Sequence, residues 1–171
     1  VGAGLMASQL AHLFIYRMGV PVVMKDIRQE YVDRGCEYVR QEFRKLAEKG
    51  RIPEPRARYL AGLIKGTLDY RDFADCDFVI EAVFEQMDVK RQVFAEVEAH
   101  VRPDTVLATN TSSLSVSRMA ADLKHPERVV GFHFFNPVAV LPLVEVVKAE
   151  RTGEEALATA FDVARQLRKT G

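Results

Sequence analysis

The sequence predicts an α/β fold of the doubly wound, Rossmann type with a mostly parallel sheet. Short runs rich in Val, Ile and Leu alternate with longer stretches of helical spacing along the 171 residues, as expected when helices connect parallel strands. Those runs are almost continuously apolar, which is typical of strands covered on both faces. With 48% hydrophobic residues, the chain can bury one core, so we expect one domain over residues 1–171.

The first half is predicted to contain one strand and three helices. Apolar residues recur at helical spacing from Leu5 to Met18, and Gly19 ends that stretch. About 50 residues separate Asp26 from Asp77, far more than one crossover helix needs. We therefore expect a projecting helical hairpin over about 29–66. In order, we predict helix 4–18, strand 20–24, helix 29–49 and helix 56–65.

The second half alternates strands and helices more regularly. Its strands are short apolar runs, and its helices are amphipathic stretches that begin after a turn. In order, we predict strand 77–83, helix 88–101, strand 105–109, helix 115–123, strand 128–134, strand 143–147 and helix 153–169. Such an order favours parallel strands joined by right-handed crossovers.

Composition excludes several classes of function. The 24 basic residues balance the 24 acidic ones, which argues against nucleic acid or an anionic membrane as a partner. No apolar run approaches the roughly 20 residues of a membrane span. Cys36 and Cys76 lack the spacing of a metal site or a disulfide framework, and we interpret both as reduced thiols. No metal site is predicted.

The opening glycines are typical of a dinucleotide-binding turn. Gly2 and Gly4 would let the backbone approach a pyrophosphate at the N-terminus of the first helix, although a plain strand–helix turn remains the alternative. Asp26 follows the next strand at a spacing suited to binding ribose hydroxyls. Its charge would repel a 2′-phosphate and favour NAD over NADP, although nearby Lys25 and Arg28 would soften that preference. Asp26 as a helix cap is the other interpretation.

His133 and Glu145 are the candidate proton-transfer residues. His133 lies on an apolar strand directly before the stretch Phe134–Pro137, and Glu145 interrupts another apolar strand. A charged residue in such a strand must be paired or exposed at a site. An imidazole–carboxylate couple would explain both residues, with His133 as a general base for a substrate hydroxyl. The alternative for His133 is a hydrogen-bonded core histidine.

Polar residues follow two other predicted strands. The run Asn110–Ser113 lies between a strand and a helix, so it is either a helix cap or part of a ligand site at the carboxyl ends of the strands. Glu85 and Lys90 follow the strand over 77–83. From the residues alone, we interpret both as solvated surface charges.

Together these motifs resemble the L-3-hydroxyacyl-CoA dehydrogenase family, and above all its branch in multifunctional fatty-acid oxidation α subunits. The resemblance covers essentially the whole chain, and its most specific blocks are Asn110–Ser113 and His133–Pro137. It also includes the segments Gly2–Met6, Val22–Asp26, Glu81–Glu85 and Leu143–Val146.

The resemblance implies an enzyme and a set of residue roles. It implies NAD-dependent oxidation of L-3-hydroxyacyl-CoA to 3-ketoacyl-CoA in fatty-acid β-oxidation, a part of lipid metabolism. His133 would be the base, Glu145 would orient it, and Ser112 would contact nicotinamide and substrate. Weaker candidates for binding the CoA phosphates lie in the hairpin, at Arg44, Lys45 and Lys49. The implied cofactor contacts are Gly2, Gly4, Met6, Asp26, Val83, Glu85, Lys90, Ser112 and Asn136.

The resemblance also implies a larger setting. Only Val1 precedes the glycines, and the family's C-terminal helical domain has no counterpart, so we expect a fragment that binds NAD and turns over acyl-CoA poorly. The whole protein would form oligomers through that domain, with a thiolase subunit as a further partner. We expect a bacterial cytoplasmic protein, or a mitochondrial or peroxisomal one in a eukaryote. A stand-alone 3-hydroxybutyryl-CoA dehydrogenase, a dehydrogenase of free hydroxy acids and a non-catalytic NAD(H)-binding paralogue remain alternatives.

Overall fold

The computed structural model describes residues 1–171 and contains helices and strands in the alternation that the sequence predicts. The helices are α1 (Leu5–Met18), α2 (Gln29–Glu48), α3 (Glu54–Ala61), α4 (Met87–Glu98), α5 (Val116–Ala120) and α6 (Glu154–Gln166). The strands are β1 (Val22–Lys25), β2 (Ile64–Thr67), β3 (Phe78–Glu81), β4 (Val106–Thr109), β5 (Val129–Phe134) and β6 (Val144–Val147). Short 3₁₀ turns occupy Tyr70–Phe73 and Pro126–Arg128.

The chain divides into two compact units, Gly2–Asp69 and Tyr70–Gly171, with Val1 belonging to the second. We call them the N-terminal unit and the C-terminal unit. In the N-terminal unit, β1 and β2 pair in parallel, from Val22 opposite Ile64 to Lys25 opposite Thr67. The predicted helix over 56–65 is therefore wrong at its end, because α3 stops at Ala61 and residues 64–67 form a strand. Within the predicted helical hairpin over about 29–66, α2 packs against α3, but residues 64–67 belong to β2.

Two glycines let α2 lie very close to its neighbours in the N-terminal unit. A Cβ atom on Gly35, in α2, would lie 2.5 Å from the sulfur of Met24. A Cβ atom on Gly66, in β2, would collide with the side chain of Val32. The buried faces of α2 and β2 therefore meet without room for a methyl group, around a core that includes Val39 and Phe43, both with 0% exposure.

The C-terminal unit contains a four-stranded sheet in the order β3-β4-β5-β6. The first three strands are parallel, and β6 returns antiparallel to β5. Residues 135–143 connect β5 to β6, which is too short for a crossover helix and explains the reversal. Val1 lies beside β3, since its amino group donates to the Ile80 carbonyl and its carbonyl accepts from Ala82 N.

The predicted fold class is confirmed. Every predicted element is present with boundaries that differ by a few residues, and β2 is an additional strand that was not predicted. None of the helices combines the length and the apolar character that a membrane crossing requires. Cys36 and Cys76 are both free thiols.

Candidate functional site

The glycine turn of the N-terminal unit lies against the carboxyl end of β1. Gly2 N donates to the Lys25 carbonyl at 2.7 Å, and Gly2 has a φ of 111°, a backbone conformation that favours glycine. Ala3 N donates to Oδ2 of Asp26 at 3.0 Å, and Ile27 N donates to Oδ1 at 2.7 Å. The glycine turn and Asp26 are thus one hydrogen-bonded structure.

The N-terminus of α1 suits an anionic ligand. Gly4 is its N-cap and provides no side-chain cap, so the first N–H groups of the helix keep their capacity to donate. A Cβ atom on Gly4 would meet nothing within 4 Å, which shows open space above the turn. Free donors, the helix dipole and the carboxylate of Asp26 fit the pyrophosphate and ribose of a dinucleotide. Met6 lies partly buried in the first turn of this helix.

The candidate phosphate-binding residues on α2 are exposed, and two of the three already form ion pairs. Lys45 Nζ lies 3.2 Å from Glu42, and Arg44 lies 3.1 Å from Glu37. Lys49 is the exposed C-cap of the helix. These are ordinary helix-surface contacts, so their assignment to CoA phosphates stays a prediction.

In the C-terminal unit, the remaining candidates follow the topology of the sheet. Because β3, β4 and β5 are parallel, the loops that follow them meet at one edge of the sheet. Antiparallel β6 begins at that same edge. The residues gathered there are Val83 and Glu85 after β3, Ser112 after β4, His133 and Asn136 at and after the end of β5, and Glu145 near the start of β6.

His133 and Glu145 face each other across the β5–β6 ladder. His133 Nδ1 lies 3.0 Å from Oε1 of Glu145. The ring of Phe135 packs edge-on against the imidazole, with the centroids 4.7 Å apart. With Nδ1 directed at the carboxylate, Nε2 is the nitrogen that can accept a proton from another molecule. The side chain of His133 is 18% exposed and that of Glu145 is 54% exposed, so both side chains are accessible to solvent.

Lys90 is buried, and its interpretation as a solvated surface charge is wrong. Its side chain is 1% exposed, and its Nζ lies 2.5 Å from Oε2 of Glu81, which is fully buried. The same Nζ donates to the Val83 carbonyl at 3.3 Å, and Val83 N donates to Glu81 at 2.8 Å. A buried ion pair therefore fixes the loop after β3, which carries Val83 and Glu85.

Hydrogen bonds connect this loop to the next one. Thr109 donates to the other oxygen of Glu81 at 2.6 Å and accepts from Thr111 N at 3.2 Å. Thr111 in turn donates to the carboxylate of Glu85. Glu85 is exposed, as its surface interpretation predicts, but it also accepts a hydrogen bond from the buried side chain of Thr111. Ser112, directly after Thr111, and Asn136 are both exposed at the edge.

Sequence reasoning identified Thr111 only as part of a motif and did not identify Glu81 or Thr109 as site residues. The available signal was Glu81 itself, a charged residue at the end of an apolar strand, nine positions before a lysine on an amphipathic helix. No cluster of three or more His, Cys, Asp or Glu side chains has the arrangement of a metal site.

Comparisons with known proteins find a family and relatives that cover nearly the whole chain. The family model described as "3-hydroxyacyl-CoA dehydrogenase, NAD binding domain" matches residues 1–171. The fatty acid oxidation complex subunit alpha of Pseudomonas savastanoi pv. phaseolicola is 44% identical over 169 residues, which is 99% of this chain and 23% of that protein. The protein of the same name from Pseudomonas aeruginosa is 44% identical over 171 residues. The chain spans about a quarter of the length of these curated relatives.

Solved structures show the same fold. The chain superposes on 3-hydroxybutyryl-CoA dehydrogenase from Escherichia coli K12 with a TM-score of 0.94 and 32% identity, covering 99% of this chain and 36% of that one. It superposes on FadB2 from M. tuberculosis with a TM-score of 0.92 and 39% identity, covering 99% of this chain and 60% of that one.

Proposed function

Because this chain belongs to the 3-hydroxyacyl-CoA dehydrogenase family as its NAD-binding domain, we propose that it oxidises L-3-hydroxyacyl-CoA to 3-ketoacyl-CoA as the cofactor-binding part of a fatty-acid oxidation enzyme. NAD is the cofactor that the family match supports. The observation that carries the proposal is the 3.0 Å contact between His133 and Glu145 at the carboxyl edge of the sheet. The curated relatives named fatty acid oxidation complex subunit alpha support the pathway.

In this proposal, the N-terminal unit binds the adenosine and pyrophosphate parts of NAD. Gly2 and Gly4 keep the turn open, the N-terminus of α1 donates to phosphate, and Asp26 accepts from the ribose hydroxyls. Hydrogen bonds within the turn support this assignment, because Ala3 N holds Asp26 beside the glycines. Met6 contributes apolar contact from the first turn of α1.

The C-terminal unit performs the proton transfer. His133 accepts the proton of the substrate 3-hydroxyl at Nε2, while Glu145 holds Nδ1 and stabilises the imidazolium that forms. When bound, NAD supplies the acceptor for the hydride that leaves C3 of the substrate. General-base assistance of this kind contributes roughly 10²–10⁴ in rate.

The exposed side chains at the edge complete the proposed site. Ser112 contacts both the nicotinamide and the substrate oxygen, and Asn136 lies on the nicotinamide side. Val83, Glu85 and Lys90 line the cofactor from the loop after β3 and the helix that follows it. Since Lys90 is buried against Glu81, its proposed contribution includes holding that loop in place.

The wider setting is also part of the proposal. Acyl-CoA is the substrate, with Lys45 and Lys49 as weaker candidates for its phosphates. The relatives are named as subunits of a complex, which supports an assembly for this protein too, with a thiolase subunit as the proposed partner. Those relatives are bacterial proteins, so we propose a cytoplasmic location.

The test is reduction of acetoacetyl-CoA by NADH in the complete protein, with and without the substitution His133→Gln. Glutamine keeps a polar side chain but cannot transfer the proton in either direction of the reaction, so turnover should fall by roughly 10²–10⁴. The dissociation constant for NADH, measured by its fluorescence, should stay unchanged. The control is His125→Gln, which alters a histidine that pairs with exposed Glu127 on the surface. Normal turnover in His133→Gln would refute the proposed role.

A second candidate is a dehydrogenase restricted to the short substrate 3-hydroxybutyryl-CoA. The close superposition on the Escherichia coli protein of that name favours it. Comparison of kcat/KM for acetoacetyl-CoA and for a long-chain 3-ketoacyl-CoA separates the two. A strong preference for the short substrate would support this second candidate.

A further inference from the structure

Strand β5 continues further along β6 than along β4. The last rung between β4 and β5 pairs Thr109 with Gly131. On its other edge, β5 stays paired with β6 as far as Phe134, and this part of the ladder contains His133 opposite Glu145. The carboxyl end of β5 therefore extends past the end of β4, so it has a neighbouring strand on only one edge.

The side chain of Asn110 supplies the missing partner. Phe134 N donates to Oδ1 of Asn110 at 2.9 Å. The backbone of Asn110 remains in the sheet on its other side, because Asn110 N donates to the Glu81 carbonyl at 3.0 Å. Phe134 is 1% exposed, and leaving its N–H group without a partner would cost about 1–3 kcal/mol.

The main chain itself cannot provide this hydrogen bond, because it leaves the sheet after Asn110. Thr111 Oγ1 accepts from Leu114 N at 3.0 Å and from Ser113 N at 3.4 Å. This turn brings Ser112 to the edge and removes the chain from the path of β4. A short amide side chain suits the position, since it can replace a backbone carbonyl locally.

We propose that Asn110 is a positioning residue for His133. Its amide oxygen holds the end of β5, so that the imidazole stays aligned with Glu145 and with the substrate hydroxyl. The inference rests on the proposed function of His133. Asn110 holds Phe134, which directly follows the proposed base His133. A misplacement of about 1 Å at a reacting group can cost about 10²-fold in rate.

The test compares substitutions at the two ends of β5 in the complete protein. Asn110→Ala removes the acceptor, while Asn110→Asp keeps an oxygen at the same position. The control is Thr152→Val, because Thr152 donates to the Val129 carbonyl at 2.7 Å and accepts from Ala149 N at 2.8 Å, at the far end of the same strand. Each variant is assayed for kcat and KM with acetoacetyl-CoA, for NADH binding and for Tm.

We expect Asn110→Ala to lower kcat by about 10- to 100-fold while KM and the NADH dissociation constant change by less than about threefold. Asn110→Asp should restore most of kcat. Thr152→Val should lower Tm and leave kcat near that of the unaltered protein. If Asn110→Ala fails to fold, Asn110→Ser takes its place, since its hydroxyl is too short to reach Phe134 N.

Three results would overturn the inference. They are full kcat in Asn110→Ala, no recovery in Asn110→Asp, and a loss of kcat in Thr152→Val as large as that in Asn110→Ala. His133→Gln separates this inference from the proposed function. If His133→Gln is inactive and Asn110→Ala is fully active, only the role of Asn110 fails. If His133→Gln is active, the proposed function fails.

Discussion

Oε1 of Glu145 lies 3.0 Å from Nδ1 of His133 because the two residues are directly opposite each other in the antiparallel ladder of β5 and β6. Directly paired residues place their side chains on the same face of a sheet, with Cβ atoms about 5 Å apart. The contact is thus set first by the register of the two strands.

We predict that Glu145→Gln lowers kcat by about 10- to 100-fold, because an amide cannot stabilise the charge that the imidazole acquires. The measurement is steady-state reduction of acetoacetyl-CoA by NADH. Glu127→Gln is a matched control, since Glu127 also pairs with a histidine, His125, at 3.3 Å. Equal activity of Glu145→Gln and Glu127→Gln would show that the ladder pair has no part in proton transfer.

We predict that Asp26→Ser weakens NADH binding by about tenfold and narrows the preference for NADH over NADPH, because a 2′-phosphate no longer meets a carboxylate. Fluorescence titration with NADH and with NADPH measures the ratio of their dissociation constants. The control is Asp33→Ser, which alters an exposed aspartate paired with Gln29 at 2.7 Å. An unchanged ratio in Asp26→Ser would leave Asp26 with only the structural role of accepting from Ala3 N.

We predict that Lys90→Met destabilises the protein by roughly 3–5 kcal/mol, because it leaves Glu81 charged and buried without its partner. Adding Glu81→Gln should recover much of that loss, since it removes the unpaired charge. Urea unfolding gives the free energies. Arg91→Met, which removes an exposed ion pair with Asp122, should cost less than about 1 kcal/mol. Additive effects of Lys90→Met and Glu81→Gln would contradict the pairing.

We predict that His12 makes the protein less stable in mild acid. Burial lowers the pKa of His12 below its ordinary value of 6.5, although Glu42 opposes this in part. Its Nε2 has no hydrogen-bond partner, and its ring packs 4.5 Å from that of Phe43. The unfolded chain therefore binds a proton more readily than the folded one. The contribution of neutral His12 to the free energy of unfolding is fully present above pH 6.5. It decreases as the pH falls from there toward the lower pKa of His12 in the folded state.

Thermal unfolding at pH 7.5 and 5.5 tests this prediction. The decrease in Tm between the two pH values should be smaller by about 2–4 °C in His12→Leu than in the unaltered protein. His100→Gln is the control, because that side chain is exposed. The same decrease in His12→Leu as in the unaltered protein would contradict the prediction.

The sequence predicted the fold where hydrophobic spacing was strong, and it failed at β2. Ile64-Lys65-Gly66-Thr67 has only four residues, with a lysine and a glycine in the middle, so it lacks both apolar continuity and strict alternation. Its strand structure depends on its pairing with β1 and on the absence of a side chain at Gly66, where α2 packs. Contacts of that kind are tertiary and leave no local pattern.

In the candidate site too, local patterns identified some residues, while others depend on contacts between distant parts of the chain. His133 and Glu145 could be identified because each contradicts the apolar strand around it. Lys90 could not be recognised as buried, because a lysine on an amphipathic helix is usually solvated. Its burial depends on Glu81, which lies on a neighbouring strand. Likewise, the hydrogen bond between Asn110 and Phe134 joins residues 24 positions apart, and it follows from where one strand stops and the next continues.

The difference in solvent exposure between His133 and Glu145, 18% against 54%, has an electrostatic consequence. Water around a carboxylate screens its attraction for a nearby cation, and a decrease in effective dielectric constant from about 80 to about 20 strengthens that attraction roughly fourfold. Any molecule that shields Glu145 from water therefore strengthens the attraction between this carboxylate and a positive charge beside it, without moving an atom of the protein. Occupancy of this edge of the sheet thus acts on the strength of the contact between the two side chains through the hydration of a single carboxylate.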